Sequence, residues 1–147
     1  MPATPWRHRP RPAPGRRRLA APTSRREKRT RRRASTRRRA TVPGGGTLRA
    51  WVSYPERKDK APVVMVIHEI FGLSDWIRGV ADQLAADGFI AVAPDLLTGK
   101  GPNGGGTEAF ASRDDVVAGV RALTPDEVVI RLNAVRDYGT KLPAANG

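Results

Sequence analysis

Two apolar runs separated by one amphipathic helix pattern constrain this chain more than any other feature. Residues 62–67 read Pro-Val-Val-Met-Val-Ile and residues 89–93 read Phe-Ile-Ala-Val-Ala. Both runs predict strands that are buried on both faces of a parallel sheet. A helix over residues 75–87 is predicted between them, because Gly88 suits a helix C-terminus and apolar residues recur at helical spacing at Ile77, Val80, Ala81, Leu84 and Ala85. This order predicts a right-handed crossover between two parallel strands.

Further elements are predicted on either side of this α/β unit. Residues 47–54 alternate apolar and polar side chains, which is typical of a half-exposed strand. The glycine-rich residues 98–107 predict an irregular loop, and residues 112–123 a short helix. A capping-box pattern followed by apolar residues predicts a longer helix over residues 125–140. Residues 142–147 read as a turn that leads toward a third parallel strand, so we expect a partial parallel sheet.

Charge divides the chain into two parts. Residues 1–40 hold sixteen of the 27 Lys and Arg residues but only one of the 14 acidic residues, Glu27, so they carry +15 and the remainder carries −2. The basic part is rich in Arg, Pro and Ala and has few large apolar side chains, which predicts a disordered arm. Residues 41–147 are therefore predicted to form the folded part, and the mild negative charge of that part argues against nucleic-acid binding.

The arm has several competing interpretations. Its arginine clusters could contact nucleic acid or another acidic surface. Residues 24–26 read Ser-Arg-Arg, as in a twin-arginine export signal, but charged residues replace the apolar segment that should follow. A membrane-surface anchor would need an apolar face opposite the bases, which the arm lacks. The remaining interpretation is an extension without an evolved role. Since no apolar run approaches the roughly 20 residues that cross a bilayer, no transmembrane segment is predicted, and we expect a cytoplasmic protein.

Metal and thiol chemistry are not expected from this chain. It contains no cysteine, which excludes disulfides, thiolate metal ligands and a thiol nucleophile among these 147 residues. Its two histidines are His8 in the arm and His68 in the folded part. A histidine-rich zinc cluster is therefore excluded, and no cofactor is predicted.

Three segments of the folded part carry a family resemblance. The first is Val63-Val-Met-Val-Ile-His-Glu-Ile-Phe-Gly72, and the others are Ile77-Arg78 ahead of Leu84-Ala-Ala-Asp-Gly88, and Ala91-Val-Ala-Pro-Asp-Leu96. Together they resemble the N-terminal portion of the dienelactone hydrolase family, within the α/β-hydrolase superfamily. The resemblance covers roughly residues 41–147, and its specificity comes from the spacing between His-Glu-Ile-Phe-Gly and Ala-Pro-Asp-Leu.

The resemblance implies a Cys nucleophile on a Gly-x-Cys-x-Gly elbow, followed by an Asp and a His. None of these three positions is present here. Glu69 matches the glutamate that takes part in activating the thiol in such enzymes, and the backbone N–H of Ile70 matches an oxyanion-hole donor. Some members bind a substrate carboxylate through an Arg in the loop after the second strand. Lys100 is the nearest base here, but it cannot reproduce the bidentate geometry of Arg. An anionic dienelactone is therefore in doubt as the substrate, and a different ester or lactone is equally possible.

Each of these residues also has a structural interpretation. Without the family context, Glu69 would be a strand-end carboxylate that is solvated or held by backbone N–H groups. A lone strand-end histidine such as His68 more often fills a hydrogen-bonding slot than it catalyses. Asp95, in Pro-Asp-Leu at a strand exit, is expected to form a turn or cap. Gly104–Gly106 lacks the Lys-Ser/Thr of a phosphate-binding loop and is expected to be a flexible connection.

The leading hypothesis is an incomplete dienelactone-hydrolase-like esterase or lactonase that acts on a small ester or lactone once another segment completes it. Glu69 and the Ile70 N–H contribute to the site, and the chain alone is expected to be inactive. One alternative is a basic tethering protein that binds nucleic acid or acidic surfaces through residues 1–40. The other is a non-functional truncated product.

Overall fold

The computed structural model describes residues 35–42 and 46–146, with side chains from residue 47 onward. These residues form a four-stranded sheet with helices packed on it. The strands are β1 (Ser35–Val42), β2 (Gly46–Ser53), β3 (Val63–Met65) and β4 (Ile90–Pro94). The helices are α1 (Asp75–Ala86), α2 (Arg113–Arg121) and α3 (Pro125–Thr140), with single 3₁₀ turns at Pro102–Gly104 and Thr107–Ala109.

The sheet has the strand order β1-β2-β4-β3. β3 and β4 are parallel, with Val64 opposite Ala91, and α1 joins them, so the predicted strand–helix–strand unit is confirmed. Its right-handed crossover stays a prediction. β2 runs antiparallel to both β1 and β4. The predicted α/β fold class is confirmed, and the described sheet is mixed rather than parallel throughout. Periodicity reports which face of a strand is buried but not the direction of its neighbour.

β3 differs from the strand that was predicted over residues 62–67. It spans only three residues, all half-buried, and Ile67 beyond it is 54% exposed. One more bond continues the pairing, from the Val66 N–H to the Val92 carbonyl oxygen at 2.9 Å. The reason is position, because β3 is the last strand in the described sheet and has β4 on one side only. An apolar run indicates that both faces of a strand can be buried, but it does not show that other elements actually cover them.

The chain after α3 approaches the free side of this edge. Ala61 and Ala145 form a parallel bridge. The Ala61 N–H donates to the Ala144 carbonyl oxygen at 2.8 Å, and the Asn146 N–H donates to the Ala61 carbonyl oxygen at 3.1 Å. Residues 144–146 thus begin to pair in the parallel direction expected for this segment.

Helices cover both faces of the sheet. α1 packs on one face, where Ile77 and Ala81 contact Ala91 and Ala93 of β4. On the opposite face, α3 contributes Val135 to the larger cluster, whose other buried members are Leu48, Ala50, Val52, Ala61, Ile90, Val92 and Ala145. β4 therefore sends successive side chains to opposite faces and is buried along its whole length. The core lies in two layers, one on each side of β4.

The helix predictions hold closely. α3 spans Pro125–Thr140 as predicted, and its capping box is formed by reciprocal bonds between Thr124 and Glu127. α1 ends at Ala86 rather than at residue 87, and Gly88 follows with a φ of 101°, in the left-handed region that a glycine tolerates. α2 forms within the predicted range of 112–123. Local capping signals determine these boundaries.

The predicted arm needs one correction. Its last residues, 35–40, belong to β1, which pairs along its length with β2. Backbone pairing satisfies the peptide groups without requiring apolar side chains, which is why composition did not reveal this strand. The rest of the disorder prediction, for residues 1–34, lies outside the described residues. Among the described helices, none is long and apolar enough to cross a membrane.

Candidate active site

Two turns meet at the carboxyl ends of the parallel pair. The first follows β3 and contains Glu69 and Ile70, and the second begins at Asp95 after β4. Because β3 and β4 are parallel and adjacent, the two turns lie at the same edge of the sheet. Open α/β sheets bind ligands outside the carboxyl ends of their strands. This edge is therefore the candidate site.

The turn after β3 is held by Glu69 itself. The Gly72 N–H donates to the Glu69 carbonyl oxygen at 3.1 Å, and Gly72 has a φ of 67° that favours glycine. The Glu69 side chain lies over the residues that follow it, and its Oε2 accepts from the Phe71 N–H at 3.1 Å. The side chain is otherwise exposed at the edge of the sheet. A carboxylate is thus presented to solvent with one oxygen held in a fixed position.

The Ile70 N–H is one of the backbone donors of this turn that have no acceptor among the described residues, and the Glu69 N–H is another. The N–H groups of Phe71, Gly72, Leu73 and Ser74 are all engaged, the last with the Gly72 carbonyl oxygen at 2.8 Å. Nothing in the described part of the chain accepts from the N–H of Ile70. A backbone N–H without an acceptor can donate to an oxygen that becomes negative, as an oxyanion-hole donor does.

His68 fills a structural slot, as predicted. It is 7% exposed, and its Nε2 accepts from the Leu96 N–H at 3.1 Å. Since Nε2 accepts, the ring proton lies on Nδ1, which donates to the Glu69 carbonyl oxygen at 2.8 Å. Both ring nitrogens are thereby engaged. The ring ties the first turn to the second and is not available as a general base.

Asp95 is also structural, as expected for its position. Its side chain is buried, and Oδ1 accepts from the Leu97 N–H at 3.1 Å and from the Thr107 hydroxyl at 2.6 Å. Oδ2 accepts from the Thr107 N–H at 2.8 Å. Three donors therefore compensate the burial of this carboxylate.

Lys100 is engaged away from the Glu69 turn. Its Nζ forms an ion pair with Glu127, the residue that completes the capping box of α3. This pairing is the main cause that lowers the pKa of Glu127 to about 2, and the Thr124 N–H adds to the effect. Lys100 remains a substrate-binding prediction, but here its charge serves the start of a helix.

Replacing Lys100 by methionine tests this assignment. The pKa of Glu127 should rise from about 2 toward the ordinary 4.5. A carboxyl whose pKa is lowered by folding stabilises the folded state above its unfolded pKa and loses that contribution as the pH falls. Wild-type stability should thus decline between pH 4.5 and about 2 more steeply than that of the variant. An NMR titration of the Glu127 carboxyl measures the shift, Lys60→Met is the control, and an unchanged titration would contradict the pairing.

Arg113 is the cation that sequence reasoning missed. Its guanidinium carbon lies 4.3 Å from the centroid of the Phe71 ring, a cation–π contact. Phe71 is 37% exposed and bonds to the Glu69 carboxylate through its N–H. The contact joins the start of α2 to the Glu69 turn, across the glycine-rich loop. No local pattern signals it, because it depends on how that loop folds back.

Large exposed apolar side chains precede and follow this turn along the chain. Ile67 is 54% exposed, and Trp76, at the start of α1, is 70% exposed. Phe71, within the turn, is partly exposed as well. Exposed apolar side chains thus occur on both sides of Glu69 along the chain.

Comparison with known proteins supports the same family. A model of the dienelactone hydrolase family matches residues 48–146. A carboxymethylenebutenolidase from Pseudomonas sp. (strain P51) is 42% identical over 109 residues, which cover 71% of this chain and 44% of that protein. Carboxymethylenebutenolidase 1 from Cupriavidus pinatubonensis is 32% identical over 111 residues, covering 73% of this chain and 46% of that protein.

A solved structure agrees with the fold. The crystal structure of a dienelactone hydrolase-like promiscuous phosphotriesterase from metagenomic libraries is 27% identical, with a TM-score of 0.55. The aligned part covers 78% of this chain and 46% of that one. The chain thus spans less than half the length of these relatives. Because the family model matches most of the chain, and the fold agrees with it, the chain belongs to the dienelactone hydrolase family.

Proposed function

We propose that this chain supplies the Glu69 and Ile70 part of a site that hydrolyses esters or lactones. The observation that carries the proposal is the free Ile70 N–H next to the fixed Glu69 carboxylate at the carboxyl end of β3. The N–H stabilises the oxygen that becomes negative when a carbonyl carbon turns tetrahedral. Glu69 assists the ionisation of a thiol, which is a weak nucleophile until it becomes a thiolate.

The thiol itself must come from outside these residues. The chain contains no cysteine, so the acyl intermediate cannot form on it. We therefore expect the chain alone to be inactive. With Glu69 and Ile70 in place, a segment bearing the nucleophile, its histidine and its aspartate completes the reaction path.

The substrate class follows from the surface around the turn. Arg113, rather than Lys100, is the base that contacts the turn through Phe71, and it suits an acidic or polar substituent. The exposed side chains of Ile67 and Trp76 offer apolar contact to the rest of the substrate. A small ester or lactone with an apolar part fits this combination. The nucleic-acid alternative concerns residues 1–40, and no observation on the described residues favours it.

A chimera tests the proposal. The 109 matched residues of the Pseudomonas relative are replaced by the corresponding segment of this chain, so that the relative supplies the remainder. The chimera is expected to hydrolyse p-nitrophenyl acetate, and the isolated chain is expected to show no more than the buffer rate. The unaltered relative is the control for the assay, and circular dichroism verifies folding. A folded but inactive chimera, or hydrolysis by the isolated chain, would contradict the proposal.

A further inference from the structure

Two hydrogen bonds, one on each side of the Glu69 turn, connect it to the loop after β4. On its amino side, His68 accepts from the Leu96 N–H at 3.1 Å. On its carboxyl side, the Leu73 N–H donates to Thr107 Oγ1 at 3.0 Å. Both hydrogen bonds reach the segment that begins at Asp95. The four residues between them include Glu69 and Ile70, so the second loop determines where both groups lie.

Thr107 is the joint between this loop and the turn. Its hydroxyl accepts from Leu73 and donates to the buried Asp95 carboxylate at 2.6 Å, while its own N–H donates to the same carboxylate at 2.8 Å. A hydroxyl that donates to an anion becomes a better acceptor, so the two bonds reinforce each other. Asp95 thereby orients Thr107, and Thr107 orients the Leu73 end of the turn.

Two glycines permit the close approach that this arrangement needs. A Cβ at Gly72 would lie 2.4 Å from Thr107 Oγ1, and a Cβ at Gly106 would lie 2.1 Å from Asp95 Oδ2. Neither position has room for a side chain. Gly72, the glycine of His-Glu-Ile-Phe-Gly, therefore allows the close approach of Thr107 and also adopts the positive φ of the turn.

We infer that Thr107, oriented by Asp95, is a positioning residue that fixes the Glu69 turn and with it the Ile70 N–H and the Glu69 carboxylate. Its relevance to catalysis rests on the function proposed above. That Thr107 fixes the turn does not depend on the proposed function, because this claim concerns only the conformational order of the turn. Thr107 forms no hydrogen bond with Glu69. It acts on the turn through the bond that its hydroxyl accepts from the Leu73 N–H.

Amide hydrogen exchange on the full chain tests the claim that Thr107 fixes the turn. Thr107→Val keeps the volume but removes the acceptor of Leu73 and one donor to Asp95. Exchange at Leu73 and Phe71 should accelerate about tenfold, the effect of losing one intramolecular hydrogen bond, while exchange at Val92 in the core stays unchanged. Thr107→Ser retains the hydroxyl and should restore wild-type exchange. Unchanged exchange at Leu73, or an equal rise at Val92, would overturn the inference.

The chimera separates this inference from the proposed function. In an active chimera, Thr107→Val should lower kcat about tenfold with KM within a factor of two, and Thr107→Ser should restore kcat. An unchanged kcat despite faster exchange at Leu73 would overturn the positioning role. If every chimera is inactive, the proposed function fails, and the exchange data on the full chain still decide whether Thr107 fixes the turn.

Discussion

Replacing Glu69 by glutamine in the chimera is expected to lower kcat for ester hydrolysis about a hundredfold. Glutamine keeps the length of the side chain and can still accept from the Phe71 N–H, so the turn should persist. What is lost is the negative charge and the ability to take up a proton beside the thiol. Because a thiol reacts as the thiolate, the chemical step should slow while KM changes little.

Glu56→Gln is the matched control for this prediction. Glu56 is an exposed glutamate in the turn before β3, at the amino end of that strand, whereas Glu69 follows the carboxyl end. Its substitution should leave kcat within a factor of two. Steady-state kinetics over a range of pH measures both variants. Equal kcat values for Glu69→Gln and the unaltered chimera would remove Glu69 from the proposed site.

Replacing Ile90 by alanine is expected to lower the free energy of unfolding by about 2–5 kcal/mol. Ile90 is fully buried in β4, within the cluster that joins the sheet to α3. Truncation removes buried methyl and methylene groups and leaves a cavity that the central strand cannot collapse to fill. Since β4 carries the turn at Asp95, the same change should loosen the candidate site. Urea unfolding followed by circular dichroism measures the loss.

Ile130→Ala makes the same chemical change on the exposed side of α3. Ile130 is 47% exposed, so the expected loss is within about 0.5 kcal/mol. Equal losses for the two variants would show that β4 is not the centre of a packed core. A changed dependence on urea concentration would instead indicate an altered unfolded state.

The elements that sequence predicted well are those with local determinants. α3 is defined by its capping box and α1 by its apolar spacing and the glycine that follows it. The roles of His68 and Asp95 were also predictable, because a lone polar residue at a strand exit usually satisfies backbone groups. These features depend on neighbours within a few positions along the chain.

The features that sequence did not reveal depend on distant pairing. β1 is held by hydrogen bonds to β2, which any backbone makes, and the half-burial of β3 reflects its place at the edge of the described sheet. Thr107 and Arg113 reach the Glu69 turn only because the glycine-rich loop returns to it. Neither the direction of a strand nor the path of such a loop is encoded in local periodicity.

The coding DNA that follows the codon for Gly147 offers the most direct test of the central claim, that Glu69 and Ile70 belong to a thiol-dependent hydrolase whose nucleophile lies outside these residues. Sequencing this DNA and reading all three frames is the measurement. The account predicts a strand and a Gly-x-Cys-x-Gly elbow, followed by an Asp and a His. Absence of that pattern in every frame would contradict the account, and Glu69 would then lose its catalytic assignment.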